Sequence, residues 1–159
     1  EYTWSDAYID NSIVAIVRAD SGIESLADLA GKVVMVQTAS SGLDALTANE
    51  ELTASFGELV QLPDYNTGFL ELRQGSVDAV VVDIGVGNYQ IANTEGDYVI
   101  LSDAVSTEQY AVGFYKGNET LRDTVNEQLL AMAEDGTMMF IAEKYVDKGL
   151  SLDSLCLCK

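Results

Sequence analysis

The chain has 159 residues, with 26 acidic against 8 basic side chains and a formal net charge of −18. This charge excludes a protein that reads nucleic-acid phosphates, and no apolar run approaches the ~20 residues that cross a bilayer. The chain has no histidine, so serine–histidine and cysteine–histidine nucleophilic sites are excluded, and we expect neither a metal nor a cofactor.

The first half of the chain alternates apolar, β-branched runs with helix signals. Glycine, serine and proline mark the breaks between them. The predicted elements are a buried strand over residues 11–19, a short helix over 25–29 capped by Ser25, a strand over 32–37, a helix over 41–56, and a strand over 58–62.

The second half continues the alternation and ends in helices. The predicted elements are a helix capped by Asn66 or Thr67 and closed by Gly75, a strand over 78–83, a helix over 85–93, a strand over 98–101, a polar connector over 102–108, a strand over 109–115, and helices over 119–133 and 138–145. Strands that alternate with helices predict an α/β fold with a mostly parallel sheet and right-handed crossovers.

Two of these apolar strands stop at polar groups. The first ends in Gln37, Thr38, Ala39, Ser40 and Ser41, where a helix begins, and the second ends at Asp83. Ligands of parallel sheets bind beyond the carboxyl ends of the strands. A helix start binds anions and a carboxylate binds ammonium groups. The pair therefore predicts a site for a zwitterion, such as the head group of an amino acid.

Several segments, taken in order, carry a family resemblance. They are Trp4-Ser5-Asp6-Ala7-Tyr8, the run from Ile23 to Val33, the run from Gln37 to Ser41, the run from Gly75 to Asp83, and the C-terminal groups from Lys116 to Tyr145. Together they resemble the extracellular solute-binding proteins of amino-acid ABC transporters (family 3), which have the type II periplasmic-binding-protein fold. Each segment is a weak signal alone, but their order and spacing make the resemblance specific.

The resemblance implies a three-layer α/β/α lobe with a mostly parallel sheet, plus a partial second lobe. Residues 1–20 and 106–159 would be parts of lobe 1, and residues 21–105 a complete lobe 2. The first half of lobe 1 has no counterpart in this sequence. The first residues resemble the middle of the family's mature chain, so no signal peptide is expected within these residues. Hinges would lie at residues 20–22 and 102–106.

The implied function is that of the solute-binding component of an amino-acid ABC transporter. It would bind a polar or charged amino acid between its lobes, deliver it to the permease and perform no covalent chemistry. It would be periplasmic or extracellular, touching a membrane only through the permease or a lipid anchor outside this chain. Two alternatives on the same fold stay open: a dehydratase of the cyclohexadienyl (prephenate or arogenate) type, and the ligand-sensing domain of a receptor.

The same resemblance assigns candidate ligand contacts. Ser40 and Ser41 would hold the ligand carboxylate and Asp83 its ammonium. The alternative for Ser40 and Asp83 is a plain helix cap, and at Asp83 the two roles can coexist. The weaker candidates are Gln37 and Thr38 at the strand end and Tyr8 from lobe 1. Ala39 stands where the family usually has glycine.

The C-terminal tail contains the only cysteines, Cys156 and Cys158. A disulfide between residues two apart would be strained, and two thiolates do not complete a zinc site. We therefore expect a disordered tail.

A lobe 1 without its first half would expose apolar surface. We expect the chain either to self-associate or to carry a rearranged lobe-1 remainder around an intact lobe 2, and to bind amino acids weakly.

Overall fold

The computed structural model describes residues 1–94 and 96–158, and this part of the chain forms seven β-strands and six α-helices. The strands are β1 (Tyr2–Trp4), β2 (Ile9–Arg18), β3 (Val33–Gln37), β4 (Glu58–Leu62), β5 (Ala79–Asp83), β6 (Tyr98–Tyr110) and β7 (Gly113–Tyr115). The α-helices are α1 (Ser41–Ala48), α2 (Glu50–Ser55), α3 (Tyr65–Gln74), α4 (Ile84–Ala92), α5 (Glu119–Glu134) and α6 (Thr137–Ala142).

The chain divides into two compact units. The larger unit is Ser12–Thr107, and the smaller unit combines Glu1–Asn11 with the residues from Glu108 onward. The first boundary differs from the predicted one after residue 20, because β2 pairs with β5 in the sheet of the larger unit. The chain passes from one unit to the other within β2 and again within β6.

The sheet of the larger unit has the strand order β4-β3-β5-β2-β6. The pairings of β3 with β4 and with β5 are parallel, while β2 runs antiparallel to β5. This confirms the predicted α/β class with a mostly parallel sheet. Consecutive residues of a strand point to opposite faces, and here both faces are buried, which is the arrangement of a three-layer lobe.

Each face of this sheet has its own apolar core. Val34, Val36 and Val81 pack on one side with Leu29 and Leu46. The other side contains the alternate strand residues with α3, namely Met35, Val80, Val82, Phe69 and Leu72. Burial on both faces explains why β3 and β5 are continuous apolar runs in the sequence.

Several predicted elements are corrected by the structure. The helix over 41–56 is two helices, because Asn49 ends α1 and caps α2. The connector over 102–108 is wrong, because those residues continue β6, whose polar side chains are exposed at the sheet edge. The strand over 109–115 is accordingly split between the end of β6 and β7. Helix α3 is capped by Asp64, not by Asn66 or Thr67, since Asp64 Oδ1 accepts a hydrogen bond from the Thr67 N–H at 2.9 Å.

The smaller unit contains a two-stranded antiparallel ribbon of β1 and β7, with α5 and α6. The expectation of a disordered tail is wrong. Leu155 is buried and bridges to Ile9, and the Cys156 N–H donates to the Tyr8 carbonyl at 3.2 Å. Apolar side chains of the tail therefore anchor it to this unit, and Cys156 and Cys158 are free thiols.

Candidate functional site

Strands β3, β4 and β5 end side by side, and we call this edge of the sheet the carboxyl edge. Gln37 pairs in parallel with Leu62, and Val36 pairs in parallel with Val81. Helices α1, α3 and α4 follow these strand ends, so three helix N-termini lie at the same edge. Each N-terminus presents unpaired N–H groups and a partial positive charge. The carboxyl edge therefore offers several donors for an anion.

Ser40 is the N-cap of α1, and its hydroxyl is occupied within the protein. It donates to the Gln37 carbonyl at 2.8 Å and accepts from the Leu43 N–H at 3.2 Å. A serine hydroxyl has one proton and two lone pairs. Its proton is therefore spent on Gln37, and the hydroxyl has none left to give a ligand carboxylate.

The hydrogen-bond donors still available at the start of α1 are backbone N–H groups of the two residues after Ser40. Within the described residues, the backbone N–H groups of Ser41 and Gly42 have no acceptor. The Ser41 side chain is exposed, whereas Gly42 is buried, with a Cβ on it lying 3.2 Å from Val36 Cγ2. Because Gly42 has no side chain, the first turn of α1 can approach the sheet closely. A bound anion would accept hydrogen bonds from the N–H groups of Ser41 and Gly42.

Asp83 ends β5 and caps α4. Its Oδ1 atom accepts from the Gly85 N–H at 2.7 Å, and the side chain is partly buried. A carboxylate can accept several hydrogen bonds at once. The capping role that the sequence left open is therefore present, and it is compatible with binding a ligand cation.

Gln37 and Thr38 join β3 to the end of β4. Gln37 Nε2 donates to the Pro63 carbonyl at 2.9 Å, and the Thr38 N–H donates to the Leu62 carbonyl at 2.9 Å. Both residues thus lie at the carboxyl edge as predicted from the sequence. Their hydrogen bonds fix the shape of the edge.

Tyr65 is a residue of this edge that sequence reasoning missed. It begins α3 and packs against the cluster that contains Val82 and Ile84, the neighbours of Asp83. The sequence signal that could have identified Tyr65 is its position, three residues after the end of β4 and at the same edge as the ends of β3 and β5.

Burial is the main cause that raises the pKa of the Tyr65 phenol above its ordinary value. The nearby Ser40 hydroxyl opposes this rise in the pKa, and the negative charge of Asp83 adds to it. The phenol is therefore protonated at neutral pH and lies within the electrostatic range of Asp83.

Tyr8 belongs to the smaller unit. Its N–H donates to the Tyr110 carbonyl at 3.0 Å, and its carbonyl accepts from Cys156. The other five candidates of the sequence analysis share the carboxyl edge of the larger unit.

Cationic side chains of the larger unit lie away from the carboxyl edge. Lys32 directly precedes β3, and Arg18 lies beside the start of β5, because Val17 pairs with Ala79. At the carboxyl edge itself, hydrogen bonds from the backbone and side chain of Thr67 hold the pKa of Asp64 below its ordinary value. Asp64 and Asp83 thus give this edge negative side-chain charge, which favours a ligand with a positive group.

Ala39, in the turn before Ser40, has a φ of 52° and is the one non-glycine residue with a positive φ among those described. An alanine in this conformation costs roughly 1–2 kcal/mol. We expect Ala39→Gly to stabilise the larger unit by about 0.5–1 kcal/mol, the gain being reduced by the entropy of glycine in the unfolded chain. A shift of the urea unfolding midpoint measures this.

Gly22→Ala is the matched control. Gly22 has a φ of 70°, and a Cβ there would have no atom within 4 Å, so only backbone strain changes. This variant should be less stable by about 1 kcal/mol. A destabilised Ala39→Gly variant would contradict the prediction.

Residues 1–94 and 96–158 contain no group of three or more cysteine and carboxylate side chains placed to hold a metal ion. Over the same residues, no helix is both long and apolar enough to cross a membrane.

A family model described as "NMT1/THI5 like" matches residues 6–143. The chain is 28% identical over 147 residues to the L-cystine-binding protein TcyJ of Escherichia coli K12, covering 91% of this chain and 54% of that protein. It is 28% identical over 145 residues to the arginine-binding extracellular protein ArtP of Bacillus subtilis, covering 89% of this chain and 55% of ArtP.

Among solved structures, the chain is similar to an ABC uptake transporter substrate-binding protein from Streptococcus pneumoniae with bound histidine. The TM-score is 0.82 at 27% identity, with 95% of this chain and 63% of that one covered. The resemblance to solute-binding proteins of amino-acid ABC transporters is thereby confirmed. The chain spans about half the length of the curated relatives it matches.

Proposed function

Since the chain belongs to the NMT1/THI5-like family, we propose that it binds a polar or charged amino acid as part of an ABC transport system. One observation carries the proposal: the unpaired N–H groups at the start of α1 and the Asp83 carboxylate lie at the same edge of the sheet. The helix start has a partial positive charge and the carboxylate a negative charge, so they complement the carboxylate and the ammonium group of an amino acid.

The ligand carboxylate would accept from the N–H groups of Ser41 and Gly42 and from the Ser41 hydroxyl. A helix start suits this anion, because the N–H groups and the helix dipole act together. The ligand ammonium would donate to Asp83, in a bond strengthened by both charges. Gln37 and Thr38 would shape the floor of the site and Ser40 would cap α1.

The lobes and hinges remain part of the proposal. The larger unit would act as lobe 2, and the smaller unit, with Tyr8, would contribute from lobe 1. The hinges predicted at residues 20–22 and 102–106 both fall inside Ser12–Thr107. We therefore place the bending that would close one lobe on the other where the chain crosses between the units, within β2 and β6. The closed form would then dock on a permease.

We also propose a location in the periplasm or outside the cell, with any membrane attachment made through the permease or a lipid anchor outside this chain. ArtP, a relative, is named as an extracellular protein. The dehydratase and receptor alternatives are not favoured, because the similar proteins described above are named as cystine-binding, arginine-binding or substrate-binding proteins.

A titration tests the proposal directly. The ¹⁵N-labelled chain is titrated with L-arginine, L-histidine, L-glutamine and L-cystine and, separately, with prephenate. We expect amino acids to shift the amide signals of Ser41, Gly42 and Gly85, with weak affinity. Shifts confined to other parts of the larger unit would contradict the site, and turnover of prephenate would favour the dehydratase.

Self-association is the remaining proposal. The ribbon of β1 and β7 exposes Trp4 and Tyr115 at 59% and 68%, and Tyr2 stacks on Tyr115 with ring centroids 5.2 Å apart. Exposed aromatic surface of this kind favours association with a second copy. We expect the molar mass from light scattering to rise with concentration and the Trp4→Ser variant to stay monomeric. A wild-type mass independent of concentration would contradict this.

A further inference from the structure

We propose that Asn11 is a positioning residue for lobe closure, because it ties together the two strands by which the chain crosses between the units. This inference rests on the proposed function, in which the lobes close by bending within β2 and β6. In the smaller unit, Asn11 is the last residue before one crossing and Glu108 is the first residue after the other. Hydrogen bonds between these residues therefore act where the bending would begin.

Side-chain hydrogen bonds join the two crossings. Asn11 Nδ2 donates to Glu108 Oε1 at 2.7 Å, although the two residues are 97 positions apart in the chain. Their neighbours form a second bond, from Gln109 Nε2 to Asp10 Oδ1 at 2.8 Å. We call these two bonds the crossing clamp. They connect β2 to β6 in addition to the backbone pairing of the strands.

The Asn11 amide is buried, with 6% of the residue exposed. Its nitrogen also donates to the phenol oxygen of Tyr110 at 3.3 Å, so it has two acceptors, which matches its two protons. Because a carboxylate can only accept, Glu108 fixes which end of the amide faces it. A buried donor is costly without a partner, whereas an apolar side chain would carry no such cost. An asparagine at this position thus indicates a role in joining the strands.

The two strands lie side by side on both sides of the clamp. In the smaller unit, the Tyr8 N–H donates to the Tyr110 carbonyl at 3.0 Å, and in the larger unit β2 and β6 are neighbours in the sheet. Two strands that are cross-linked at one point must bend together beyond that point. The clamp would therefore confine the bending to the first strand residues of the larger unit, beginning at Ser12 and Thr107.

This part of β2 lies next to the proposed ammonium contact. Ile13, two residues after Asn11, pairs with Asp83. Bending that is confined here would move the smaller unit about a point beside the site. Without the clamp, the bending would spread over more residues, and the free chain would sample more orientations of the two units. The form that can close would be a smaller fraction, and the apparent affinity falls with that fraction.

The test uses the full ¹⁵N-labelled chain. Residual dipolar couplings measured without ligand give the alignment of each unit, and NMR titration with L-arginine and L-glutamine gives the dissociation constants. The variants are Asn11→Ala and the double variant Asn11→Asp with Glu108→Gln, which exchanges donor and acceptor. Ser5→Ala is the matched control, because it removes another buried hydrogen bond of the smaller unit, donated by the Val112 N–H at 2.9 Å.

We expect equal alignment of the two units in the wild type and unequal alignment in Asn11→Ala. The same variant should weaken amino-acid binding about two- to tenfold, the usual scale for a residue that acts on a site from a distance. The double variant should restore both properties, because the exchanged pair can make the same bond in reverse. Ser5→Ala should lower the urea unfolding midpoint and leave alignment and affinity unchanged.

Three results would overturn the inference. They are unequal alignment of the units in the wild type, equal effects of Ser5→Ala and Asn11→Ala on alignment and affinity, and a double variant that behaves like Asn11→Ala. The last two would show that Asn11 only stabilises the fold.

The measurement without ligand separates this inference from the proposed function. If amino acids bind and Asn11→Ala changes neither alignment nor affinity, the proposed function stands and the role of Asn11 is wrong. If the wild-type chain binds none of the amino acids, the proposed function is wrong, and the alignment of the two units alone decides whether Asn11 controls the crossings.

Discussion

Asp83→Asn is expected to weaken amino-acid binding more than tenfold. The substitution removes the negative charge that pairs with the ligand ammonium, and a hydrogen bond to a charged group contributes ~1.5–3 kcal/mol. Asparagine keeps an oxygen that can accept from the Gly85 N–H, so the cap of α4 is retained. Isothermal titration calorimetry or NMR titration measures the loss, and unchanged affinity would refute the assignment of Asp83.

Asp64→Asn is the matched control for the charge. Asp64 caps α3 at the same edge, where its two oxygens accept from Thr67. The substitution therefore removes one negative charge from the edge without touching the proposed ammonium contact. We expect a much smaller loss of affinity than at Asp83. Equal losses would mean that the edge attracts cations through its overall charge alone.

Ser40→Ala provides a second comparison. The N–H groups of Ser41 and Gly42 remain in this variant, so we expect it to weaken binding less than Asp83→Asn. A larger loss at Ser40 than at Asp83 would mean that the Ser40 hydroxyl itself binds the ligand carboxylate.

Leu72→Ala is expected to lower the free energy of unfolding of the larger unit by about 2–5 kcal/mol. Leu72 is 0% exposed in the core between α3 and the sheet. Truncating a fully buried leucine removes its burial and leaves a cavity that the surroundings fill only in part. Urea denaturation followed by circular dichroism measures the change.

Leu70→Ala is the matched control, because it makes the same leucine-to-alanine change on the same helix, α3. Leu70 is 57% exposed, so its free energy of unfolding should change by no more than about 0.5 kcal/mol. If the two variants were equally destabilised, α3 would not pack on the sheet as described. If neither were destabilised, the core assignment of Leu72 would be wrong.

The sequence by itself determined the fold class and most of the elements. A strand that is buried on both faces of a parallel sheet needs apolar residues and favours β-branched ones. The strands β3 and β5 can therefore be recognised in the sequence as uninterrupted apolar runs. The residues that end these strands, from Gln37 to Ser41 and Asp83, could be assigned to one edge because parallel strands end together.

Edge strands and caps were harder to predict. In β6, exposed residues such as Asp103 and Thr107 resemble a connector, because an edge strand is covered less than a central strand and needs fewer apolar groups. Asp64, Asn66 and Thr67 are all good caps, and the local sequence does not rank them. The choice of Asp64 depends on where the end of β4 places the first turn of α3.

Only the tertiary structure decided how the hydroxyls of the candidate site are used. The sequence shows Ser40 as a donor for a ligand, whereas the structure directs its hydroxyl proton to the Gln37 carbonyl. Two other bonds at this edge, from Gln37 Nε2 to the Pro63 carbonyl and from the Thr38 N–H to the Leu62 carbonyl, join separate segments through the parallel pairing of β3 with β4. Hydrogen-bond partners distant in the chain have no pattern in the sequence, because each depends on register and packing and not on local spacing.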